Sequence, residues 1–405
     1  MPARFAFLAN AELAHLCALL NPPGAETRVV GGAVRAALMG QDPADFDLAT
    51  TLLPQAVLEI ARHNKIKAIP TGIEHGTVTL VQNGTPFEVT TLREDIATDG
   101  RHAKVRFGRS FVADALRRDF TMNALSVSGD GRLHDYVGGE TDIFARRVRF
   151  IGAASQRIAE DYLRILRFFR FHAAFGHGPP DAEAMTAIIA ARHGLPRLSR
   201  ERVRAELLKL LAMPGAAEIV EIMSDCGIFD LLLAGVAYPA RLAKLVQRAG
   251  SGADALLRLA ALAVQTGEDS DRLRERLRLG NAEHGRLAGA AEIAIILHGR
   301  SETPERDELQ KLMLLHGGAA VRDGLWLAET DAGSAVSWRK TRNLLATLPQ
   351  PRLPFSGADL QRLGVASGPE MGAILKKLQG NWIRAGFPKD PAVLAQLLEA
   401  CVAGK

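Results

Sequence analysis

The feature that most constrains this chain is a glycine pair that follows a short apolar run. Val29 and Val30 end a β-branched segment. Gly31 and Gly32 then permit a tight turn, and residues 33–39 predict a short helix. Backbone N–H groups at such a junction come close to an anion, and the helix N-terminus adds partial positive charge. The stretch therefore predicts a strand, a turn and a helix start that bind phosphate.

A second short strand, residues 45–49, is predicted after this helix and carries two aspartates. Side chains alternate along a strand, so Asp45 and Asp47 are expected to project to one side, about 6.6 Å apart. Phe46 and Leu48 would take the buried face. Neighbouring carboxylates repel one another unless a cation lies between them, and paired metal ions align the reacting oxygens in polymerases. Hard oxygen ligands beside a polyphosphate favour Mg²⁺.

Read together, these two motifs indicate a family. Gly-Gly-x-Val-Arg at residues 31–35, followed by Asp-x-Asp-x-x-Thr at 45–50, resembles the signature of the nucleotidyltransferase superfamily that contains the tRNA CCA-adding enzymes and bacterial poly(A) polymerases. That family usually has an acidic residue after the arginine, where this chain has Ala36. We expect that position to be structural and the metal site to remain intact.

The next segments predict the rest of a small mixed sheet. A helix is predicted at 54–63, followed by β-like runs at 65–69, 76–81 and 86–91. In the third run Glu88 alternates with apolar neighbours and is expected to add a third carboxylate to the aspartate pair. The alternative is a solvated glutamate at a sheet edge.

Residues 93–102 are charged and lack periodicity, and we expect a mobile loop there. Within it, Asp99-Gly100-Arg101 resembles the flexible loop of CCA-adding enzymes, and is closer to the mitochondrial and eukaryotic form than to poly(A) polymerases. In that family the loop reorganises the pocket between C and A addition.

Residues 117–125 match the second motif of the family. Adjacent arginines, including Arg118, suit phosphate oxygens, while Asp119 can accept from a ribose hydroxyl and Asn123 can bond phosphate or sugar. From the residues alone, a surface salt-bridge cluster is the alternative. The segment 135–152 resembles the third motif, for which we expect a structural role.

A strong helix is predicted at residues 160–171, with its carboxylates in the first turn. Asp161 and Arg164 lie three residues apart and are expected to share a helix face. An acceptor carboxylate beside a guanidinium donor imitates the edge of a base, so the pair would select nucleotides. An ordinary surface salt bridge is the alternative. The resemblance implies that this pair reads CTP and then ATP, with Arg167 adding a contact.

The rest of the chain predicts helices and no convincing strand. A helix at 199–209 resembles the fifth motif, and a Gly-Pro turn at 368–369 begins a helix with paired lysines that suits a backbone phosphate or simple helix packing. The fold class is α+β: a small mixed-sheet nucleotidyltransferase head followed by an all-α neck, body and tail. The predicted domains are the head (1–152), the neck (153–215), the body (216–300) and the tRNA-binding tail (301–405).

Composition narrows the class of protein but does not identify its function. A formal charge of +5 over 405 residues is mild for a nucleic-acid-binding protein. Three widely spaced cysteines show no metal or redox pattern, which predicts a reducing compartment and a cytoplasmic protein. No apolar run approaches the length of a membrane span, and no signal sequence is expected.

The sequence thus predicts a tRNA nucleotidyltransferase that adds CCA from CTP and ATP with Mg²⁺. A poly(A) polymerase, a partial A- or CC-adding enzyme and a non-catalytic RNA-binding protein are the alternatives. No protein partner is implied. The candidate residues are the catalytic carboxylates Asp45, Asp47 and Glu88, of which the two aspartates bind metal, and the nucleotide-binding residues Gly31, Gly32, Arg35, Arg118, Asp119, Asn123, Asp161, Arg164 and Arg167.

Overall fold

The computed structural model describes residues 3–98, 103–300, 302–332 and 338–403. The chain divides into two compact units, Met1–Leu232 and Leu233–Lys405. The first unit contains the sheet and the helices that follow it, and the second unit is helical over its described residues. This division is coarser than the predicted head, neck, body and tail, which remain a prediction.

Nine strands lie in the described part of the first unit, and seven of them form one mixed sheet. The strands are β1 (Thr27–Val30), β2 (Asp47–Thr50), β3 (Lys67–Gly72), β4 (Thr77–Gln82), β5 (Thr85–Thr91), β6 (Arg93–Thr98), β7 (Ala103–Phe107), β8 (Ser126–Ser128) and β9 (Leu133–His134). The order in the large sheet is β3-β4-β5-β2-β1-β8-β9. Only the β2–β5 pair is parallel among these neighbours. The predicted mixed-sheet head is confirmed, although β8 and β9 were not anticipated.

Helices surround the sheet and make up the remainder of the first unit. They are α1 (Ala11–Leu19), α2 (Gly32–Leu38), α3 (Pro54–His63), α4 (Phe111–Leu116), α5 (Gly139–Phe144), α6 (Ala154–Glu160), α7 (Leu163–Phe175), α8 (Ala182–Ala191), α9 (Arg200–Leu211), α10 (Ala216–Asp225) and α11 (Ile228–Leu233), the last of which ends at the boundary. Short 3₁₀ helices occupy Ala3–Ala9, Thr121–Asn123 and Arg192–Arg197. The helices predicted at 54–63 and 199–209 are confirmed.

The second unit contains ten α-helices that begin within its described residues, and one short 3₁₀ helix at Gly250–Gly252. The α-helices are α12 (Pro239–Ala249), α13 (Ala255–Ala263), α14 (Gly267–Leu277), α15 (Asn281–Leu297), α16 (Arg306–His316), α17 (Gly318–Asp331), α18 (Arg339–Thr347), α19 (Gly357–Arg362), α20 (Pro369–Arg384) and α21 (Pro391–Ala403). Its buried apolar side chains include one cluster around Trp338 and another around Trp382. No described helix is both long and apolar enough to cross a membrane.

The predicted strand at 45–49 begins two residues later than expected, at Asp47. Val30 of β1 pairs with Asp47, and the chain then turns away at Gly31, so β1 offers no partner to the residues before Asp47. Asp45 therefore lies outside the strand. The expectation that both aspartates project from one strand was wrong in this respect.

Aromatic packing fixes the segment that carries the aspartates. The ring of Phe46 stacks on Phe87 of β5, with centroids 6.1 Å apart, and contacts Phe7 at 5.7 Å. Phe7 in turn lies against the buried Phe5, both in the 3₁₀ helix near the N-terminus. These rings lie beneath the start of β2 and are called here the aromatic stack.

The predicted loop at 93–102 is also different in the structure. Strands β6 and β7 form a separate antiparallel pair on either side of residues 99–102. A ladder of backbone hydrogen bonds does not require alternating apolar side chains, so periodicity did not reveal these strands. The Asp99-Gly100-Arg101 motif lies outside the described residues.

The single helix predicted at 160–171 is two helices. Helix α6 ends at Glu160, and α7 begins at Leu163 after Asp161 takes an extended conformation (φ −157°, ψ 108°). The carboxylate of Asp161 accepts a hydrogen bond from the Leu163 N–H at 3.1 Å, which satisfies one of the free N–H groups at the start of α7. The local side-chain bond therefore breaks the apparent helix.

Candidate active site

One cavity of the first unit, with a volume of about 610 Å³, brings together most of the predicted site residues. Its walls come from the β1–α2 turn, strands β2 and β5, the segment after α4, and helices α7 and α9. All the predicted residues except Asp45 line it: Gly31, Gly32, Arg35, Asp47, Glu88, Arg118, Asp119, Asn123, Asp161, Arg164 and Arg167. The predicted head and neck motifs thus share one cavity.

The cavity also contains side chains that the sequence did not single out. Asp114, Phe171 and Arg202 are among its lining residues. Asp114 lies three and four residues before Arg117 and Arg118, and this helical spacing is a signal that would have found it. Phe171 follows Arg167 by four residues and Arg164 by seven on α7, so the same helical spacing would have found it. Arg202 lies on α9, in the segment that resembles the fifth motif, where nothing in its spacing marks it as part of the cavity.

The glycine turn brings the start of α2 close to an arginine. Gly31 has a positive φ of 66°, which L side chains rarely adopt, and a Cβ there would lie 3.4 Å from Nη1 of Arg118. Its own N–H donates to the Leu125 carbonyl at 3.1 Å. The Gly31 N–H is therefore not free to bind a ligand. Because Gly31 has no side chain, the guanidinium of Arg118 can lie close to the turn at the cavity wall.

The carboxylates of β2 and β5 are held side by side by strand register. Asp47 pairs directly with Glu88 in the parallel β2–β5 ladder. Partial burial raises the pKa of the Asp47 carboxyl, and repulsion from Glu88 and Asp45 raises it further, while Arg118 opposes the shift. Three carboxylates therefore interact here with more negative charge than their surroundings balance.

This imbalance suits a hard divalent cation. Among the residues that the structure describes, no three His, Cys, Asp or Glu side chains converge as a protein-only metal site. Mg²⁺, however, is commonly bound through one or two carboxylates together with substrate phosphates. The oxygens of Asp45 and Asp47, with the raised Asp47 pKa, fit a cation that shares its ligands with a polyphosphate.

Two adjacent arginines are anchored by one buried carboxylate. Asp114 is 4% exposed and accepts from Arg117 at 2.5 Å and from Arg118 at 3.0 Å. Burial would raise the pKa of the Asp114 carboxyl, but the two guanidinium groups lower it overall. The salt-bridge cluster considered for this motif is present, and it also holds Arg118 at the cavity wall.

Arg35 is enclosed by aromatic rings. Its guanidinium lies 4.3 Å from the Phe175 ring centroid and 5.2 Å from that of Phe171, and it donates to Oδ1 of Asn123. Burial lowers the pKa of Arg35 to about 10, with Arg170 contributing repulsion. The side chain remains protonated at neutral pH and connects α2 with α7.

Asp119 is the centre of a buried network. It accepts from Arg167 Nε at 2.7 Å, from the Asn123 amide at 3.2 Å and from the Phe120 N–H at 2.9 Å. Burial would raise the pKa of the Asp119 carboxyl, but the Arg167 charge and these hydrogen bonds lower it overall. Asp119 therefore ties the segment after α4 to α7.

Asp161 and Arg164 line the cavity but do not pair with each other. Asp161 Oδ2 accepts from Arg202 of α9 at 2.5 Å. Arg164 donates to the Arg157 carbonyl at 2.8 Å and to the Glu160 carboxylate. Because Asp161 precedes α7, the expectation that the two residues share one helix face was wrong. Each is instead anchored from behind by a different partner.

The segment resembling the third motif has a structural arrangement. Asp135 accepts from the N–H groups of residues 137–140 at the start of α5, at 2.9–3.0 Å. Asp142 is fully buried and accepts from Thr121, Arg147 and Arg149. The expected structural role agrees with these contacts.

Comparison with known proteins gives consistent matches. The family described as Poly A polymerase head domain matches residues 27–149, and the family described as probable RNA and SrmB-binding site of polymerase A matches residues 180–238. The mitochondrial CCA tRNA nucleotidyltransferase 1 of Danio rerio is 34% identical over 373 residues, which cover 89% of this chain and 84% of that protein. The CCA-adding enzyme of Levilactobacillus brevis is 30% identical over 401 residues, covering 94% and 95%.

A solved structure extends the similarity to the whole chain. The crystal structure of the Bacillus stearothermophilus CCA-adding enzyme in complex with CTP superimposes with a TM-score of 0.75 and 27% identity, covering 100% of this chain and 99% of that one. The fold and the cavity define a nucleotidyltransferase of the poly(A) polymerase class. With relatives at this identity and coverage, the chain belongs to the family of CCA tRNA nucleotidyltransferases, the CCA-adding enzymes.

Proposed function

We propose that this protein adds CCA to the 3′ end of tRNA from CTP and ATP without a nucleic-acid template. Two relatives named for this reaction match this chain over 84% and 95% of their own length. A structurally similar CCA-adding enzyme was crystallised in complex with CTP. The observation that carries the proposal is the single cavity in which the carboxylates of β2 and β5 lie together with Asp161 and Arg164. One cavity thus has groups for both ends of a nucleoside triphosphate.

The triphosphate is assigned to the glycine turn and its arginines. Gly31 and Gly32 keep the wall free of side chains, and Arg118 reaches the cavity beside Gly31. Arg35 adds positive charge from α2, although aromatic rings cover much of it. Guanidinium groups bind phosphate oxygens through paired hydrogen bonds, so these side chains suit a polyphosphate that must be held in one orientation.

The metal site is assigned to Asp45 and Asp47, with Glu88 as the neighbouring third carboxylate. We propose Mg²⁺ as the divalent cation, which would lower the pKa of the tRNA 3′-hydroxyl and neutralise charge on the α-phosphate and pyrophosphate. The protein's part is to hold carboxylates next to each other, as the β2–β5 register does for Asp47 and Glu88. Repulsion among them is relieved when positive charge binds, and a divalent cation supplies that charge.

Nucleotide selection is assigned to Asp161 and Arg164, with Arg167 behind them. A carboxylate accepts from an exocyclic amine, and a guanidinium donates to ring nitrogen and carbonyl oxygen, a pattern that cytosine and adenine can meet. Arg202 and Glu160 hold the two side chains in place. Asp119 and Asn123, both 8% exposed, complete the wall, and we assign them to the sugar side of the nucleotide.

The other assignments follow from the same reading. The tail, residues 301–405, is proposed to bind tRNA, largely through shape and phosphate contacts. The three cysteines are free and buried, which fits a reducing compartment. We propose a cytoplasmic location; the Danio rerio relative is a mitochondrial enzyme.

An incorporation assay tests the function directly. The protein is incubated with a tRNA that ends before CCA and with labelled CTP, ATP or both. The expected products are two added C residues with CTP and complete CCA with both nucleotides, with no addition to tRNA that already ends in CCA. Homopolymeric A tails without C would overturn the proposal, and addition limited to A or to CC would indicate a partial enzyme.

A further inference from the structure

The junction between α6 and α7 carries the two proposed base-reading residues. Asp161 is extended, and Tyr162 is the first residue with helical angles (φ −59°, ψ −17°) before α7 begins at Leu163. The N–H of Arg164 donates to the Asp161 carbonyl at 3.0 Å. The position of Tyr162 therefore links the backbone of Asp161 to that of Arg164.

The ring of Tyr162 lies directly on Gly194, in the 3₁₀ helix Arg192–Arg197. A Cβ on Gly194 would lie 2.0 Å from Cε1, 2.2 Å from Cδ1 and 2.4 Å from Cζ of that ring. Such distances are far below van der Waals contact, so no side chain fits while the ring keeps its place. Gly194 is buried and does not have a positive φ, so the glycine is required for space rather than for backbone conformation.

A second contact to the tyrosine comes from the same 3₁₀ helix. The guanidinium of Arg197 lies 5.8 Å from the centroid of the Tyr162 ring, within the range of a cation–π interaction. Leu195, between the two contacting residues, is 1% exposed and anchors the segment in the core. The ring is thus seated on a fixed backbone segment that belongs to neither α6 nor α7.

We propose that the contact of Tyr162 with Gly194 is a positioning device that sets the spacing of Asp161 and Arg164, and so determines nucleotide selection. The inference rests on the proposed function. Binding groups must be held within about 0.5 Å of their productive geometry, and a displacement of about 1 Å lowers rates by about a hundredfold. Tyr162 and Gly194 act through the base-reading pair and are positioning residues, not catalytic ones.

The first test replaces Gly194 by alanine. In Gly194→Ala the added methyl group displaces the ring, and we expect KM for CTP and ATP to rise by about tenfold with a much smaller change in kcat. Misincorporation of UTP and GTP should rise as well. Gly285→Ala is the matched control, because this α15 glycine has open space around its Cβ position and lies in the second unit.

Substitutions at Tyr162 separate positioning from folding. Tyr162→Phe keeps the ring and should keep selection, whereas Tyr162→Ala should lose selection without introducing a clash. If the two residues act through one contact, the double variant Gly194→Ala/Tyr162→Ala should resemble Tyr162→Ala alone rather than show the product of two losses. Tyr162→Ala also keeps the test decisive if Gly194→Ala does not fold.

The outcomes distinguish this inference from the proposed function. Normal discrimination among nucleotides in Gly194→Ala and Tyr162→Ala, even with a lowered melting temperature, would overturn the inference and leave only a structural contact. Independent, multiplicative losses in the double variant would also overturn it. Failure of the unaltered protein to add C and A to tRNA would instead reject the proposed function.

Discussion

Two walls of the same cavity carry carboxylates in opposite electrostatic states. On the sheet side, the pKa of Asp47 is raised by partial burial and by two neighbouring carboxylates. On the α7 side, burial of Asp119 is more than offset by Arg167 and three hydrogen bonds, and its pKa is lowered. A carboxylate with unbalanced charge marks a place for a cation, whereas one with balanced charge holds the protein together.

The largest expected effect tests the unbalanced wall. Replacing both Asp45 and Asp47 by asparagine removes the proposed metal ligands, which supply several kcal/mol of charge stabilisation, so nucleotide incorporation should fall by about a thousandfold or more. Affinity for tRNA, measured by filter binding, should change little. Incorporation is measured with tRNA lacking CCA.

The matched control for that double variant is Asp42→Asn. Asp42 is an exposed carboxylate a few residues upstream that does not line the cavity. It should retain full activity. If the double variant incorporated nucleotides as well as the unaltered protein, Asp45 and Asp47 would not be the metal ligands, and the raised pKa of Asp47 would have no catalytic meaning.

The next effect tests the balanced wall. Arg167→Met leaves the Asp119 carboxylate buried without its ionic partner, and breaking a buried pair from one side costs about 3–5 kcal/mol of unfolding free energy. Urea denaturation, followed through the unfolding transition of the first unit, measures this loss of unfolding free energy. The exposed Arg132, changed to methionine, should cost less than about 0.5 kcal/mol.

The same pair predicts a dependence on pH. Because the folded-state pKa of Asp119 is lowered, its stabilising contribution is complete above the unfolded value of about 3.9 and is lost as the pH falls through the folded value. The stability difference between the unaltered protein and Arg167→Met should therefore shrink below about pH 4. A difference that is constant with pH would contradict the assigned role of the pair.

A smaller effect is expected at the pair that reads the base. Asp161→Asn keeps the size of the side chain but replaces one acceptor oxygen with a donor, so it should disfavour the amino groups of cytosine and adenine. A bidentate base contact contributes about 1–3 kcal/mol of discrimination, so kcat/KM for CTP should fall by about tenfold relative to UTP. Competition between labelled CTP and UTP measures this ratio, and an unchanged ratio would separate Asp161 from base recognition.

The smallest effect concerns stability on the sheet side. Asp47→Asn removes a carboxylate whose ionisation opposes folding, so without divalent cation the melting temperature at pH 7 should rise by about 2 °C. Since the folded pKa is raised, the unaltered protein loses stability as the pH rises from about 3.9 through the folded value, and the variant does not. Added Mg²⁺ should raise the melting temperature of the unaltered protein only. A lower melting temperature in Asp47→Asn would show that the Asp47 carboxylate stabilises the folded protein, contrary to this prediction.

Local sequence patterns predicted the elements whose signals are local. The α3 helix at 54–63 and the five strands from β1 to β5 were found from apolar runs and breakers, with boundaries within about three residues. Strands β6 to β9 were not found, because short or charged strands are defined by their pairing partners. The start of β2 at Asp47 likewise depends on where β1 ends.

The sequence predicted which residues belong to the site better than it predicted which residues they contact. Apart from Asp45, the predicted site residues from Gly31 to Arg167 line one cavity, as the resemblance implied. Their partners were less accessible to sequence reasoning, because Asp161 binds Arg202 and Arg167 binds Asp119 across long sequence separations. Such pairs depend on how α9 and the segment after α4 pack against α7 and the residues just before it, which no spacing rule encodes.

The aromatic stack beneath β2 limits how far the protein can be truncated from its N-terminus. Phe46 stands between the two aspartates in sequence, and its ring rests on Phe7 from the 3₁₀ helix at Ala3–Ala9. The region matched by the polymerase head family begins only at residue 27. A protein trimmed to that matched span would lose the rings that support the start of β2, the strand to which we assign the metal site, so we expect an active fragment to require residues 3–9.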